Sequence, residues 1–370
     1  MSSSPAASRP YRRIATEEAW APPELFEQFR QILSSHPEDD PGLMSLMGYY
    51  VLGEGERPRF IRERMADTEE IRLREMDAAG IDHQILSLTA PGTNPLPAAQ
   101  ATDLAQLTND RLAEIVRRRP DRFSGLAAVP FTAADAGAAE LERAVTTLGL
   151  KGAILNSHVR DRYTDAPEFL PFYEAAASLG VPVYLHPNAP AAGLFRPLYE
   201  RGLDGSMYGF GIETGLHLMR LVVSGVFERF PDLKLVVGHL GEAVPFWLNR
   251  IDYMYGKQVA TGRYPHVRPL PLKPSEYIRR NVWITTSGMP WQDEIMFVRR
   301  MVGADRVMYA MDYPYQYEPT EVELQDALPV TDEEKFEFFE GIATRVFGLE
   351  LDSPAAVGAD GAGREGTGPA

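Results

Sequence analysis

Cysteine is absent from this chain of 370 residues. That excludes disulfides, thiolate metal sites and cysteine nucleophiles, so any metal has to be held by His, Asp, Glu or water. Positive charge is also scarce: 37 basic residues stand against 52 acidic ones, a formal charge of −15. Neutralising phosphates or docking on an anionic membrane needs a surplus of Lys and Arg, so both kinds of partner are set aside. No run of about 18 apolar residues occurs, and no membrane-spanning helix is expected. No G-x-G-x-x-G follows the first strand and no G-x-x-x-x-G-K-[ST] is present. The usual reasons to expect an open doubly wound sheet are therefore missing.

What is present is a sizeable apolar fraction, 44% of residues. Residues 1–10 (MSSSPAASRP) lack the apolar segment of a secretory signal, and residues 351–370 are rich in Gly, Ala and Pro. Both read as disordered ends, and a cytoplasmic protein is expected. Between them, short apolar runs alternate with helical patterns. The strand candidates are RRIATEE, HQILSLT, FSGLAAVPF, KGAILNSH, VPVYLHP, LKLVVGHL, VWITTSG and RVMYAMDYP. Their near-continuous apolar character marks parallel strands covered on both faces. Helices are expected over Thr68–Ala79, stopping at Gly80, and over Ala133–Leu148, Ala166–Leu179 and Thr214–Phe230. Eight such units in residues 11–350 suit one (β/α)8 TIM barrel. The stretch 22–64 interrupts the alternation as an insertion after the first strand. In a barrel it lies at the C-terminal face, where active sites form.

The strand ends carry chemistry. The first ends at Glu17-Glu18, the fourth at Asn156-Ser157-His158 and the fifth at His186. The sixth ends at His239 and Glu242, the seventh at Thr286-Ser287 and the eighth at Asp312. Any one histidine there reads equally well as a satisfied core residue. Buried charges need partners, however, and a metal ion would serve Glu17, His186 and Asp312 together. Two carboxylates and one imidazole suit Mn²⁺, with Zn²⁺ as the alternative. Lys151 and Lys234 sit at strand starts, too far from this face to bridge two metals, so the site reads as mononuclear.

The motifs ATEEAW, YLHPN, VGHLGEAVPFWLNRID and YAMDYPYQY resemble the amidohydrolase superfamily, and within it the metal-dependent aromatic acid decarboxylases, from about Arg13 to Leu349. Most members carry a metal-binding histidine two residues after the first acid, where this chain has Ala19. The branch acting on 5-carboxyvanillate shares that departure, with a Glu, His and Asp shell around manganese. The resemblance implies non-oxidative decarboxylation of a hydroxylated aromatic acid, most closely 5-carboxyvanillate to vanillate and carbon dioxide, in aromatic and lignin catabolism. It implies a homodimer or homotetramer, with Leu46, Met47, Tyr49 and Tyr50 as a candidate contact patch.

On that footing Asp312 is the expected proton donor to the ring carbon, with His239 and Glu242 as the network that tunes it. Arg57, Arg250, Tyr315, Phe210 and Thr89 are the expected substrate contacts. For Arg57 and its neighbour Arg59, a solvated loop charge is the competing reading; for Phe210 and Thr89 it is packing. His158 is expected behind the metal ligands. His36, His83, His217 and His266 are expected to be structural or superficial. Two alternatives stay open: another hydroxybenzoate such as γ-resorcylate as substrate, or metal-dependent hydrolysis of a lactone, ester or amide.

Overall fold

A computed structural model of the chain describes residues 9–35 and 40–351. His36 and nearly all of the two expected disordered ends lie outside these residues. Arg9, Pro10 and Leu351 are the exceptions, and the Arg9 guanidinium donates to Gly80 O at 2.9 Å and pairs with Asp82.

Eight parallel strands alternate with helices, as expected. They are β1 (Ile14–Trp20), β2 (His83–Leu88), β3 in two pieces (Phe123–Gly125 and Ala127–Ala128) and β4 (Ala153–Asn156). Then follow β5 (Pro182–His186), β6 (Lys234–Val237), β7 (Val282–Thr285) and β8 (Val307–Met308). Each strand is hydrogen-bonded to its neighbour in sequence order. Leu126 joins the two pieces of β3, its N–H on Leu86 O at 2.9 Å. The seam between β8 and β1 is closed by Thr16 Oγ1 donating to Tyr309 O at 2.8 Å and Ala19 N–H donating to Tyr313 O at 2.7 Å.

Alternate residues of each strand face the barrel axis. Ile14, Ile85, Leu126, Ile154, Tyr184, Val236 and Met308 form that inner layer. Ile342, Val346 and Phe347 of the last helix (Ile342–Phe347) plug it from the strand-start side. The other face of each strand packs beneath the surrounding helices: Ala15, Leu86, Leu155, Leu185, Leu235, Val237 and Ile284 are all buried there. Burying each of the larger side chains contributes roughly 1.5–3 kcal/mol, so both faces reward the apolar runs of the sequence.

One irregularity sets up the site. Ala15 pairs with Gln84, but the next β1 residue in register with β2 is Glu18, opposite Leu86. Three steps on β1 match two on β2, which is a β-bulge. A one-residue shift exchanges the two faces of a strand. Ile14 therefore faces the axis below the bulge and Glu17 faces it above. β1 continues to Trp20 rather than ending at Glu17-Glu18, so Glu17 reaches the mouth from within a strand.

The helices depart from expectation at two places. The stretch Thr214–Phe230 is not one helix: Gly209–Val223 and Val226–Arg229 are separated at Gly225, whose φ is +85°. The insertion is mostly helical, with Pro23–Ser35, Tyr49–Leu52 and Glu56–Ala66 arranged over the C-terminal mouth. Of the four residues of the expected apolar patch, Met47 is wholly buried, Leu46 and Tyr50 are partly buried against the core, and Tyr49 is exposed. Leu46, Met47 and Tyr50 close the insertion onto the barrel.

Candidate active site

Glu17, His186 and Asp312 each bring a donor atom to one point at the mouth, and these atoms all lie within 4.8 Å of one another. β1 supplies Glu17 through the bulge. His186 is the last residue of β5, two positions beyond the inward Tyr184. Asp312 lies four residues past the end of β8, on a backbone with φ +75°. For a residue other than glycine that left-handed backbone costs roughly 1–2 kcal/mol.

The orientation of each donor has a cause. Glu17 Oε2 takes the hydroxyl protons of Tyr184 and Ser287, and Thr285 Oγ1 lies 3.2 Å away. This leaves Glu17 Oε1 buried without a hydrogen-bond partner and facing His186 Nε2 at 3.4 Å. His186 Nδ1 donates to Pro187 O at 2.8 Å, so Nε2 carries the lone pair. A buried, orphaned carboxylate oxygen opposite an imidazole lone pair and a second carboxylate is a set that fits a divalent cation. Gly238 makes room: a Cβ there would stand 2.4 Å from Glu17 Oε2 and 2.9 Å from Ser287 Oγ.

His239 and Glu242 meet through an unusual turn. His239, Leu240, Gly241, Glu242 and Ala243 all have positive φ, forming one left-handed turn between β6 and the helix Val244–Thr261. It brings His239 Nδ1 to 2.9 Å from Glu242 Oε1 and leaves Nε2 3.7 Å from Asp312 Oδ2. The His239 N–H donates to Ser287 Oγ at 3.0 Å. Burial disfavours the charged imidazole, yet the carboxylates of Glu17 and Glu242 outweigh it and hold His239 well above the ordinary histidine range. Burial raises the Asp312 carboxyl, aided by the charge of Glu17 and opposed by the contact with His239. Burial pushes Glu17 the same way, but His239, His186 and the hydroxyls win and keep it low. These directions belong to the side chains alone, and a bound dication favours ionised carboxylates.

Above the three donors is a cavity of about 460 Å³, lined by Tyr49, Tyr50, Arg57, Phe210, Tyr315 and Gln316 among others. Arg57 reaches it from the insertion, with Nη2 donating to Tyr315 O at 2.5 Å. Tyr50 packs edge-on to Tyr315 at 5.4 Å between ring centroids. Burial raises the Tyr315 phenol, so it stays protonated. Phe210 lines this cavity and an adjoining, more open groove that also includes His239, Glu242 and Trp247.

Several expected contacts sit elsewhere. Arg250 is on the wall of the adjoining groove, which also includes His239 and Asp312, and does not line the cavity. Thr89 lies behind Tyr315, at 2.8 Å from its hydroxyl, and does not line the cavity. Arg59 is exposed and lines neither. His158 is buried between loops, with Nε2 on Ala189 O at 2.9 Å, and touches no candidate ligand. His83 bonds Ser124 at 2.9 Å at the opposite end of the barrel. His217 lies in a buried network with Ser157 and Thr164, and His266 is exposed. Tyr184 and Glu18 were not singled out from sequence. The signal for Tyr184 was its place two residues before His186 on β5, and that for Glu18 is readable only with the bulge in β1.

The family model described as amidohydrolase matches residues 36–349. A γ-resorcylate decarboxylase of a Polaromonas species is 36% identical over 265 residues, which is 69% of this chain and 80% of that protein. A solved 5-carboxyvanillate decarboxylase of Novosphingobium aromaticivorans, complexed with manganese and 4-hydroxy-3-methoxy-5-nitrobenzoic acid, is 42% identical with a TM-score of 0.90, covering 92% of this chain and 96% of that one. A 5-carboxyvanillate decarboxylase from Sphingomonas paucimobilis is 37% identical with a TM-score of 0.86, covering 92% and 99%. With the barrel, the bulged first strand and the three convergent donors in place, this chain belongs to the amidohydrolase family.

Proposed function

We propose that this protein is a metal-dependent, non-oxidative decarboxylase of a hydroxylated aromatic carboxylic acid, with 5-carboxyvanillate as its substrate and vanillate and carbon dioxide as products. The observation that carries this reading is the orphaned Glu17 Oε1 facing His186 and Asp312 on the floor of an aromatic-walled cavity. Manganese, present in solved relatives, would be held by Glu17, His186 and Asp312, with zinc as the alternative. When bound, the ion orients the carboxylate and adjacent phenolate of the substrate and offsets their charge.

The protein's own groups supply the rest. Arg57 and the Tyr315 hydroxyl offer donors to a second, remote carboxylate. Tyr50 and Phe210 give the ring an apolar slot. Asp312 takes a proton from His239 and passes it to the ring carbon that bears the departing carboxylate. The bond to that carboxylate then breaks, its electron pair returns to the ring, and carbon dioxide leaves. His239, bridged to Glu242, stands 3.7 Å from Asp312 Oδ2 and can supply the proton. Incubating the manganese-loaded protein with 5-carboxyvanillate should release vanillate and carbon dioxide in equal amounts. Hydrolysis of an ester or lactone panel without carbon dioxide release would reverse the assignment.

No helix among the described residues is long and apolar enough to cross a membrane. A cytoplasmic location and a homodimer or homotetramer complete the proposal. Exposed Met207, Tyr208, Phe246, Trp247, Tyr253 and Trp291 offer the contact for such an assembly.

A further inference from the structure

Glu18 takes no part in the proposed chemistry, yet it is fully buried. It follows Glu17 in β1 and so points to the other face of the strand. Its carboxylate lies under the loop that follows β8. Oε1 accepts the Met311 N–H at 3.1 Å and Oε2 accepts the Tyr313 N–H at 3.3 Å. These two amides flank Asp312, whose backbone is left-handed at φ +75°. The same loop is tied from two further directions. The Asp312 carbonyl accepts Gln316 N–H at 2.8 Å, and the Tyr313 carbonyl accepts Ala19 N–H at 2.7 Å. Gln84 Nε2 donates to Glu18 Oε2 at 3.1 Å, and Arg72 donates to Gln84 Oε1 at 3.2 Å, which fixes the carboxylate from behind.

A carboxyl group has two oxygens in a fork and both can accept, whereas a side-chain amide has only one acceptor oxygen. The carboxyl alone among side chains of this length can accept from both backbone amides at once. A glutamine would turn an NH2 group toward one of them, setting donor against donor. We propose that Glu18 is the positioning residue for Asp312: by bracketing residue 312 through both flanking amides, it fixes the turn that aims the Asp312 carboxylate at Glu17 and His186. This rests on the reading of Asp312 as metal ligand and proton donor.

The test uses the full-length, manganese-loaded protein and four variants: Glu18→Gln, Glu18→Ala, Asp312→Asn and Glu140→Gln. Glu140 is a buried carboxylate remote from the mouth, bonded to Asn109 and Arg143, and serves as the structural control. Melting temperature, manganese affinity by EPR titration, and kcat and KM on 5-carboxyvanillate are measured for each. Groups standing behind metal ligands typically matter by about 10- to 100-fold, so Glu18→Gln should lose that much in kcat and in manganese affinity with KM nearly unchanged. Glu140→Gln should lower the melting temperature and leave kcat and affinity intact. Wild-type kcat and affinity in Glu18→Gln would overturn the bracket, as would equal losses in the control. If neither Glu18 variant folds, the carboxylate serves the whole barrel and the proposal also fails. If Asp312→Asn retains turnover, the reading of Asp312 as donor falls instead, and manganese affinity still decides the role of Glu18.

Discussion

Nε2 of His186 and the unpartnered Oε1 of Glu17 face each other at 3.4 Å across the barrel mouth. Each is directed there by a bond on its far side: Pro187 O holds the imidazole, and the hydroxyls of Tyr184 and Ser287 hold the other carboxylate oxygen. A gap built so deliberately from both sides defines what a cation would meet, and it makes the surrounding residues testable one at a time.

Asp312→Asn removes the proposed donor while keeping the size of the side chain. General acid catalysis contributes about 10²- to 10⁴-fold, so kcat should fall by at least about a hundredfold with the fold retained. Steady-state kinetics alongside circular dichroism check this, and near-normal turnover would mean that the proton comes from elsewhere.

The hydroxyls behind Glu17 should matter to metal affinity before they matter to the fold. Tyr184→Phe removes one bond to Oε2, and the loss in manganese affinity should be about 10- to 100-fold. Gly238→Ala should do more, because its Cβ would stand 2.4 Å from Glu17 Oε2. An isothermal titration in which both variants bind manganese like the parent would show that Glu17 needs no such support.

Arg57→Ala should mainly raise KM. A hydrogen bond to a charged group is worth about 1.5–3 kcal/mol, which is roughly a 10- to 100-fold loss of substrate affinity. The same variant should make little difference to a substrate analogue lacking the second carboxylate. A loss of kcat at unchanged KM would place Arg57 in the chemistry instead.

Acid should destabilise the barrel through two buried histidines away from the metal. Burial lowers His83 from 6.5 to about 4, and burial together with His158 and Arg220 lowers His217 to about 3. Between pH 6.5 and these values the unfolded chain binds protons that the folded chain refuses, so stability present above pH 6.5 is lost as pH falls. Each histidine contributes about 1.4 kcal/mol per pH unit in that window. Urea midpoints from pH 7 to pH 5 should therefore drop, and less steeply in His217→Gln; parallel profiles would show that this histidine titrates normally when folded.

Much of this architecture was legible in the sequence, and the limits have physical reasons. Doubly buried parallel strands must be apolar on both faces, so eight short runs announced a barrel and their polar ends announced its mouth. The same uniformity hides which face each residue takes. The adjacent acids Glu17 and Glu18 look equivalent until the bulge at Ala15–Glu18 assigns one to the axis and the other to the β8 loop. His239 and Glu242 were legible as a pair after the sixth strand, but the left-handed turn that joins them was not. Thr89 and Arg250 show a related limit: a strand end or helix names a neighbourhood, while packing decides the surface, which puts Thr89 behind Tyr315 and Arg250 on the groove shared with His239 and Asp312.

The central claim is that Glu17, His186 and Asp312 grip one divalent cation on which decarboxylation depends. Elemental analysis of the purified protein, paired with 5-carboxyvanillate turnover before and after chelation, tests it most directly. The account predicts about one manganese per chain, turnover abolished by chelator and restored by added Mn²⁺, and both metal content and turnover lost in His186→Ala. A chelated protein with no metal that still releases carbon dioxide at the original rate would contradict it.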